Sequence, residues 1–272
     1  MKNLITRSLT GIVLVAAILG SLLLSKFTFA GLFVVLLLGC LTEFYGLPAT
    51  AGLRPNRILG LSIGGLTFIL SFLIASGKLS PVFYLLISPL LLLVFMAEMY
   101  RQSEVSLQNI TTTITGIFYV AVPFSLGNFL VFDSAGTYSP KLMIALLIII
   151  WMYDSGAYLF GVSFGKHRLF ERISPKKSWE GAIGGTFLSL GAAYVLSLYI
   201  PAISLPHWLA IAFLTVVAST FGDLSESMLK RQFGMKDSGN CFPGHGGLLD
   251  RFDSLLFAIP VFVFYLKVII GY

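Results

Sequence analysis

LMIALLIIIWMYDSGAYLFGVSF, residues 142–164, carries a single Asp, Glu, Lys or Arg, Asp154, in a run long enough to cross a bilayer as a helix. A span needs about 20 residues of helix. The rest of the chain has the same character. Of its 272 residues, 57% are hydrophobic and 11% charged, against about 25% charged in soluble domains. Nine apolar segments are expected, near residues 8–25, 28–47, 58–77, 80–97, 111–132, 142–164, 180–200, 206–224 and 254–271. Only Gly77-Lys78-Leu79 separates the third from the fourth, as in a tight helical hairpin. The expected fold class is therefore all-α, a polytopic integral membrane protein with about nine transmembrane helices. The first segment follows Lys2 and Arg7 and lacks a small-residue cleavage site, so it is expected to be a retained anchor. Residues 1–135 should form a scaffold of about five spans, and residues 136–272 about four spans with the polar connections.

The charges are uneven. With the N-terminus inside, fourteen of the eighteen Lys and Arg residues fall on inside connections, and only Lys26, Lys78, Lys141 and Lys267 fall outside. This asymmetry favours nine spans and an external C-terminus. Residues 166–180 carry seven charges and residues 226–253 carry eight, half of the chain's thirty, and both stretches fall on the inside. The expected location is an integral, multi-pass membrane protein with its site at the cytoplasmic face, in the inner or plasma membrane if bacterial. The net charge of +6 fits loop bias and an anionic lipid or nucleotide partner rather than nucleic acid. Cys40 and Cys241 are too far apart in sequence and character to suggest a disulfide. Cys241 and His245 have ligand-like spacing but no second pair to complete a zinc site.

Five groups of residues could carry chemistry. Asp223 closes an apolar run, and Asp250 and Asp253 share a face if a helix begins there. Together they could hold a hard divalent cation, which takes a few carboxylates and completes its shell with water and phosphate oxygens. Singly, each could equally cap a helix or pair with Lys230 or Arg251. Lys230, Arg231 and Lys236 supply cations suited to phosphate. Pro243-Gly244-His245-Gly246-Gly247 reads as a tight turn whose amides could approach a phosphate, with His245 as a further donor. Asp154 within a span costs ~3 kcal/mol or more unless paired, protonated or facing water. Ser155, Gly156 and Ala157 after it permit close helix packing, and Tyr158, four residues on, could hydrogen-bond it. The connection from Lys166 through Ser174-Pro175-Lys176-Lys177 to Trp179 offers a basic platform for an anionic substrate, or an interfacial anchor.

The segment SMLKRQFGMKDSGNCFPGHGGLLDRFD, residues 227–253, resembles the complete signature of the CDP-diacylglycerol synthases, the phosphatidate cytidylyltransferases. Its fixed positions run from Ser227, Leu229, Lys230 and Arg231 through Lys236, Asp237 and Gly239 to Phe242–Gly247, Asp250, Arg251 and Asp253. The run Asp154–Tyr158, Gly161, Gly165-Lys166 and the segment from Ser174 to Gly181 resemble the family's second block. The N-terminal half resembles it only as a set of apolar spans.

The resemblance implies transfer of a cytidylyl group from CTP to phosphatidic acid, giving CDP-diacylglycerol and pyrophosphate. It implies Mg²⁺, with Mn²⁺ as a substitute, a monovalent cation such as K⁺, and a homodimer in membrane lipid. On these residues, Asp223, Asp250 and Asp253 are the expected metal ligands and, with Lys230, Arg231 and Lys236, the expected catalytic set. Asp154, Tyr158, Lys166, Ser174, Lys176, Lys177, Gly244, His245, Gly246, Gly247 and Arg251 are the expected substrate contacts. Two alternatives stay open. A CTP-dependent polyprenol or lipid kinase would use the same metal logic but transfer the γ-phosphate. A secondary transporter would place ionisable groups near the midplane, as Asp154 is placed. The spaced Asp-Gly…Ala-Arg…Asp…Asp pattern of the CDP-alcohol phosphotransferases is not found.

Overall fold

A computed structural model of the chain describes residues 2–239 and 246–272. The helices are α1 (Lys2–Leu24), α2 (Lys26–Gly46), α3 (Arg57–Ala75), α4 (Ile87–Arg101), α5 (Ser106–Gly116), α6 (Val122–Leu126), α7 (Lys141–Phe164), α8 (Trp179–Tyr199), α9 (Leu205–Gln232) and α10 (Leu249–Phe264). Among the described residues, eight helical segments are long and apolar enough to cross a membrane, and Thr10–Leu24 of α1 is a shorter apolar helix. These match the nine expected apolar segments, and the protein is a helical, polytopic membrane protein. One detail departs from a purely helical expectation. Arg168–Phe170 (β1) and Ser174–Ser178 (β2) form an antiparallel hairpin between α7 and α8.

The chain folds as two compact units. One comprises the chain up to Pro140 together with Gln232–Phe252, and the other Lys141–Arg231 together with Asp253–Tyr272.

In the first unit, local signals start the helices. Ser25 caps α2 through a reciprocal capping box with Thr28, and Asn56 accepts from Leu59 N to cap α3. Phe29, Phe33 and Phe124 stack in the core, with Phe29 and Phe33 ring centres 4.4 Å apart. The Tyr45 hydroxyl donates to the Thr113 carbonyl at 2.8 Å. Glu98, 2% exposed, is held by Arg101 at 3.0 Å and by the Asn109 amide at 2.6 Å. Outside the spans, the Tyr138 hydroxyl donates to the Leu22 carbonyl, and burial pushes its phenol up to about 12.

In the second unit, α7 and α8 touch along their small residues. A Cβ on Gly156 would lie 2.8 Å from the Gly185 Cα, and one on Gly185 would lie 2.6 Å from the Tyr153 carbonyl oxygen. The backbones therefore meet directly, as small residues permit in membrane helices. Ser189 Oγ adds a bond to the Ile149 carbonyl at 3.0 Å. The close packing expected from Ser155-Gly156-Ala157 is thus present, and it fixes Asp154 one turn from the contact. Ser178 caps α8 by accepting from Gly181 N.

Gly185→Leu should destabilise the protein by roughly 2 kcal/mol or more through overpacking. Thermal unfolding in detergent should show a lower midpoint for this variant, whereas Gly191→Leu, with nothing within 4 Å of its Cβ position, should match the wild type.

Candidate active site

The polar residues of the second unit gather where α7, the hairpin and α9 meet. Lys177 Nζ on β2 lies 2.7 Å from Asp223 Oδ2 on α9. Ser227 Oγ, one turn along, donates to Asp223 Oδ1 at 3.3 Å. Gly222 lets α10 come close, because a Cβ there would sit 2.5 Å from the Asp253 carbonyl oxygen. That approach brings Asp253 beside Asp223. Asp223 acts electrostatically on Asp154 and on Asp253, and Lys177 acts on all three carboxylates.

Of these groups, Asp154, Lys177 and Asp223 border a cavity of about 320 Å³ lined also by Tyr153, Ala157, Tyr158, Gly161, Leu169, Lys176, Ser178, Gly181 and Ala182. A second cavity, of about 420 Å³, shares Tyr153, Leu169 and Ala182 with it and is otherwise apolar, with Phe170, Trp179, Phe187, Phe213 and Phe221 among its walls. The hairpin contributes residues to both. Its base is fixed to α8, since His167 directs both its backbone N and its Nδ1 at Glu180, the latter at 2.6 Å, while Trp179 N donates to the His167 carbonyl.

Several sequence expectations change at this point. Tyr158 lines the polar cavity but makes no hydrogen bond to Asp154 among the described residues. Tyr153, its neighbour on α7, is the bonded tyrosine, meeting Thr220 Oγ1 at 2.5 Å. Lys166 and Ser174 stand outside the cavity lining, Lys166 exposed after α7 and Ser174 at the start of β2. Lys230 is directed at Glu226, 2.6 Å away and 1% exposed, one turn back on α9. Glu226 was missed, although a Glu four residues before a Lys on a helix is a readable pairing signal. Arg231 is exposed.

In the first unit, Asp250 serves as a helix-start carboxylate. Its Oδ2 accepts from Gly247 N at 2.7 Å and from Ser238 N at 3.0 Å. This is the capping role that remained open for any one of the aspartates. The Gly247 amide, expected to face a phosphate, is thereby given to Asp250. Gly246 has φ +81°, and a Cβ there would lie 2.8 Å from Asp250 Oδ2, so both glycines serve the approach to this carboxylate. Lys236 and Arg251 are exposed. Gly244 and His245 lie outside the described residues.

Residues 5–269 match the family model described as the cytidylyltransferase family. The chain belongs to this family. Among its relatives, a phosphatidate cytidylyltransferase of Haemophilus influenzae is 38% identical over 157 residues, 54% of each chain. One of Staphylococcus aureus is 49% identical over 117 residues, 42% of this chain and 44% of that one. One of Staphylococcus epidermidis is 34% identical over 220 residues, 77% of this chain and 81% of that one. The chain thus spans about half the length of the first two relatives it matches.

Among the described residues no group of three or more His, Cys, Asp or Glu side chains is placed to hold a metal ion. Asp154, Asp223 and Asp253 instead present carboxylates near one lysine, and Asp223 and Asp154 border open space. Mg²⁺ is commonly held in this way, by one or two carboxylates with water and substrate phosphates filling the rest of its shell.

The Glu226–Lys230 pair yields a stability test. Glu226→Gln should cost roughly 3 kcal/mol by leaving a largely buried ammonium without its carboxylate. Adding Lys230→Met should restore most of the loss in detergent unfolding, and a double variant no more stable than Glu226→Gln would contradict the pairing.

Proposed function

We propose that this cytidylyltransferase transfers a cytidylyl group from CTP to phosphatidic acid, forming CDP-diacylglycerol and pyrophosphate in phospholipid synthesis. The observation that carries this reading is the pair of adjoining cavities. One is lined by carboxylates and lysines and the other by aromatic and aliphatic side chains, with Tyr153, Leu169 and Ala182 common to both. A reaction between a water-soluble polyphosphate and an anionic lipid needs such a boundary. The names of the relatives support the same substrates.

The chemistry asks little of a general base. The lipid phosphate is already an anionic nucleophile. One of its oxygens bonds to the α-phosphorus of CTP as the bond from that phosphorus to the β-phosphate oxygen breaks, and pyrophosphate leaves with the electron pair. The obstacle is bringing like charges together in line. Lys176 and Lys177 offer charge at the polar cavity. Arg231 at the end of α9, and Lys236 and Arg251 in the signature segment, are exposed and suited to phosphate oxygens. Lys230 acts here through its pairing with Glu226. The apolar cavity takes acyl chain, with the lipid phosphate at the hairpin. Bound Mg²⁺ would neutralise and align the phosphates. Asp223 and Asp253 would hold it, with Asp154 ordering the pocket and Asp250 one helical turn from Asp253 along α10.

Purified protein given labelled CTP, phosphatidic acid and Mg²⁺ should release pyrophosphate and a CDP-lipid. Release of CDP with a phosphorylated lipid would instead indicate a kinase, and solute flux in proteoliposomes without nucleotide a transporter. Asp223→Asn should lower turnover by ~10²-fold or more, as loss of a preorganised charge in a phosphoryl-transfer site does, while the protein remains folded in detergent. Wild-type turnover in that variant would sink the assignment of Asp223.

A further inference from the structure

Glu43 lies near the end of α2 in the apolar run FVVLLLGCLTEFYG, where the helix dipole disfavours an acid and lipid disfavours a charge. Its partners explain its presence. Oε1 accepts from Leu248 N at 2.8 Å, and Oε2 accepts from Leu249 N at 2.8 Å and from Ser238 Oγ at 3.0 Å. Leu248 and Leu249 open α10, whose first amides have no helical acceptor. Gly247-Leu248 supplies none of the side chains that usually cap a helix. A carboxylate from a helix some 200 positions away does so instead, and the α10 dipole favours it there.

The same carboxylate also holds the signature segment at Ser238, ten residues before Leu248. Ser238 is shared, since its hydroxyl goes to Glu43 and its amide to Asp250. Close approach depends on glycine. A Cβ on Gly239 would lie 2.6 Å from Glu43 Oε1, and one on Gly247 would meet both Ser238 Oγ and Glu43 Oε2. Two carboxylates therefore fix residues 238 and 247–249 to each other and to α2. Lys236 and Asp237 are within two residues of this lock, and Asp250 and Arg251 within two residues on the other side.

We propose that Glu43 is a positioning residue for the transfer reaction: it sets the start of α10 and the base of the signature segment, and so the placement of Asp250 and the cations beside it. The catalytic part of this inference rests on the proposed reaction, whereas the capping part does not. Misplacing such a segment by about 1 Å can cost ~10²-fold in rate. Glu43→Gln keeps the shape but turns one acceptor into a donor facing another donor. Its kcat should fall ~10–100-fold, with KM for phosphatidic acid within about twofold because the lipid cavity belongs to other residues. Ser238→Ala should give the same pattern more weakly, roughly 2–5-fold, because it removes one of the carboxylate's three hydrogen bonds and leaves both amide bonds.

Amide hydrogen exchange supplies a readout that needs no reaction. In the wild type the Leu248 and Leu249 amides should exchange slowly, and Glu43→Gln should speed them while α2 stays protected. Wild-type kcat in Glu43→Gln, unprotected Leu248 and Leu249 amides in the wild type, or unchanged protection in a slow variant would each overturn the proposal. If the wild type makes no CDP-lipid, the reaction assignment fails, and the exchange measurement alone still decides whether Glu43 caps α10.

Discussion

The contact between Lys177 Nζ and Asp223 Oδ2, at 2.7 Å, is the joint on which the second unit's site depends. It ties the hairpin that follows α7 to the end of the apolar stretch of α9. The partners are 27% and 35% exposed, so the pair contributes only ~1 kcal/mol to stability. Its value is positional. It adds a link to α9 to the ladder with β1 and the bonds at the hairpin base, which hold the strand to α8. Ser227 holds the second oxygen of Asp223, so the carboxylate is fixed from two sides.

Charge placement elsewhere follows one rule. Lipid offers no solvation, so each charge near the apolar interior is held by a defined donor or counter-ion. Glu98 has Arg101 and Asn109, Glu226 has Lys230, and Glu43 has two amides and a hydroxyl. Such arrangements add modest stability, because desolvation offsets much of the attraction. What they supply is a unique register, since sliding one helix would strand a buried charge. The cluster of Asp154, Asp223 and Asp253 departs from this rule. Three carboxylates there share the charge of Lys177, which leaves a local surplus of negative charge.

The spans were legible because length and apolar character suffice for them. The packing of α7 on α8 was legible in Ser155-Gly156-Ala157. The hairpin was not. Its strands are short, and Ser-Pro-Lys-Lys has the composition of a loop, so its pairing arises from the anchoring of His167 on Glu180. The i+4 spacing points to Tyr158, because it places two residues on one face but cannot say which hydroxyl finds a partner on a third helix. Glu43 left only the oddity of an acid in an apolar run. Its partners are 195 to 206 residues away, and no local pattern encodes a cap supplied from that distance.

The β-hairpin contributes to both cavities of the second unit. Strand β1 gives Leu169 to both and Phe170 to the apolar one, while β2 gives Lys176 and Lys177 to the polar one. The antiparallel ladder pairs the backbone groups of the two strands, and the bonds of His167 to Glu180 and of Trp179 N to the His167 carbonyl hold its base to the start of α8. A short paired segment anchored in this way can present charged and apolar side chains to neighbouring spaces at fixed positions, which an unpaired loop of the same length could not do.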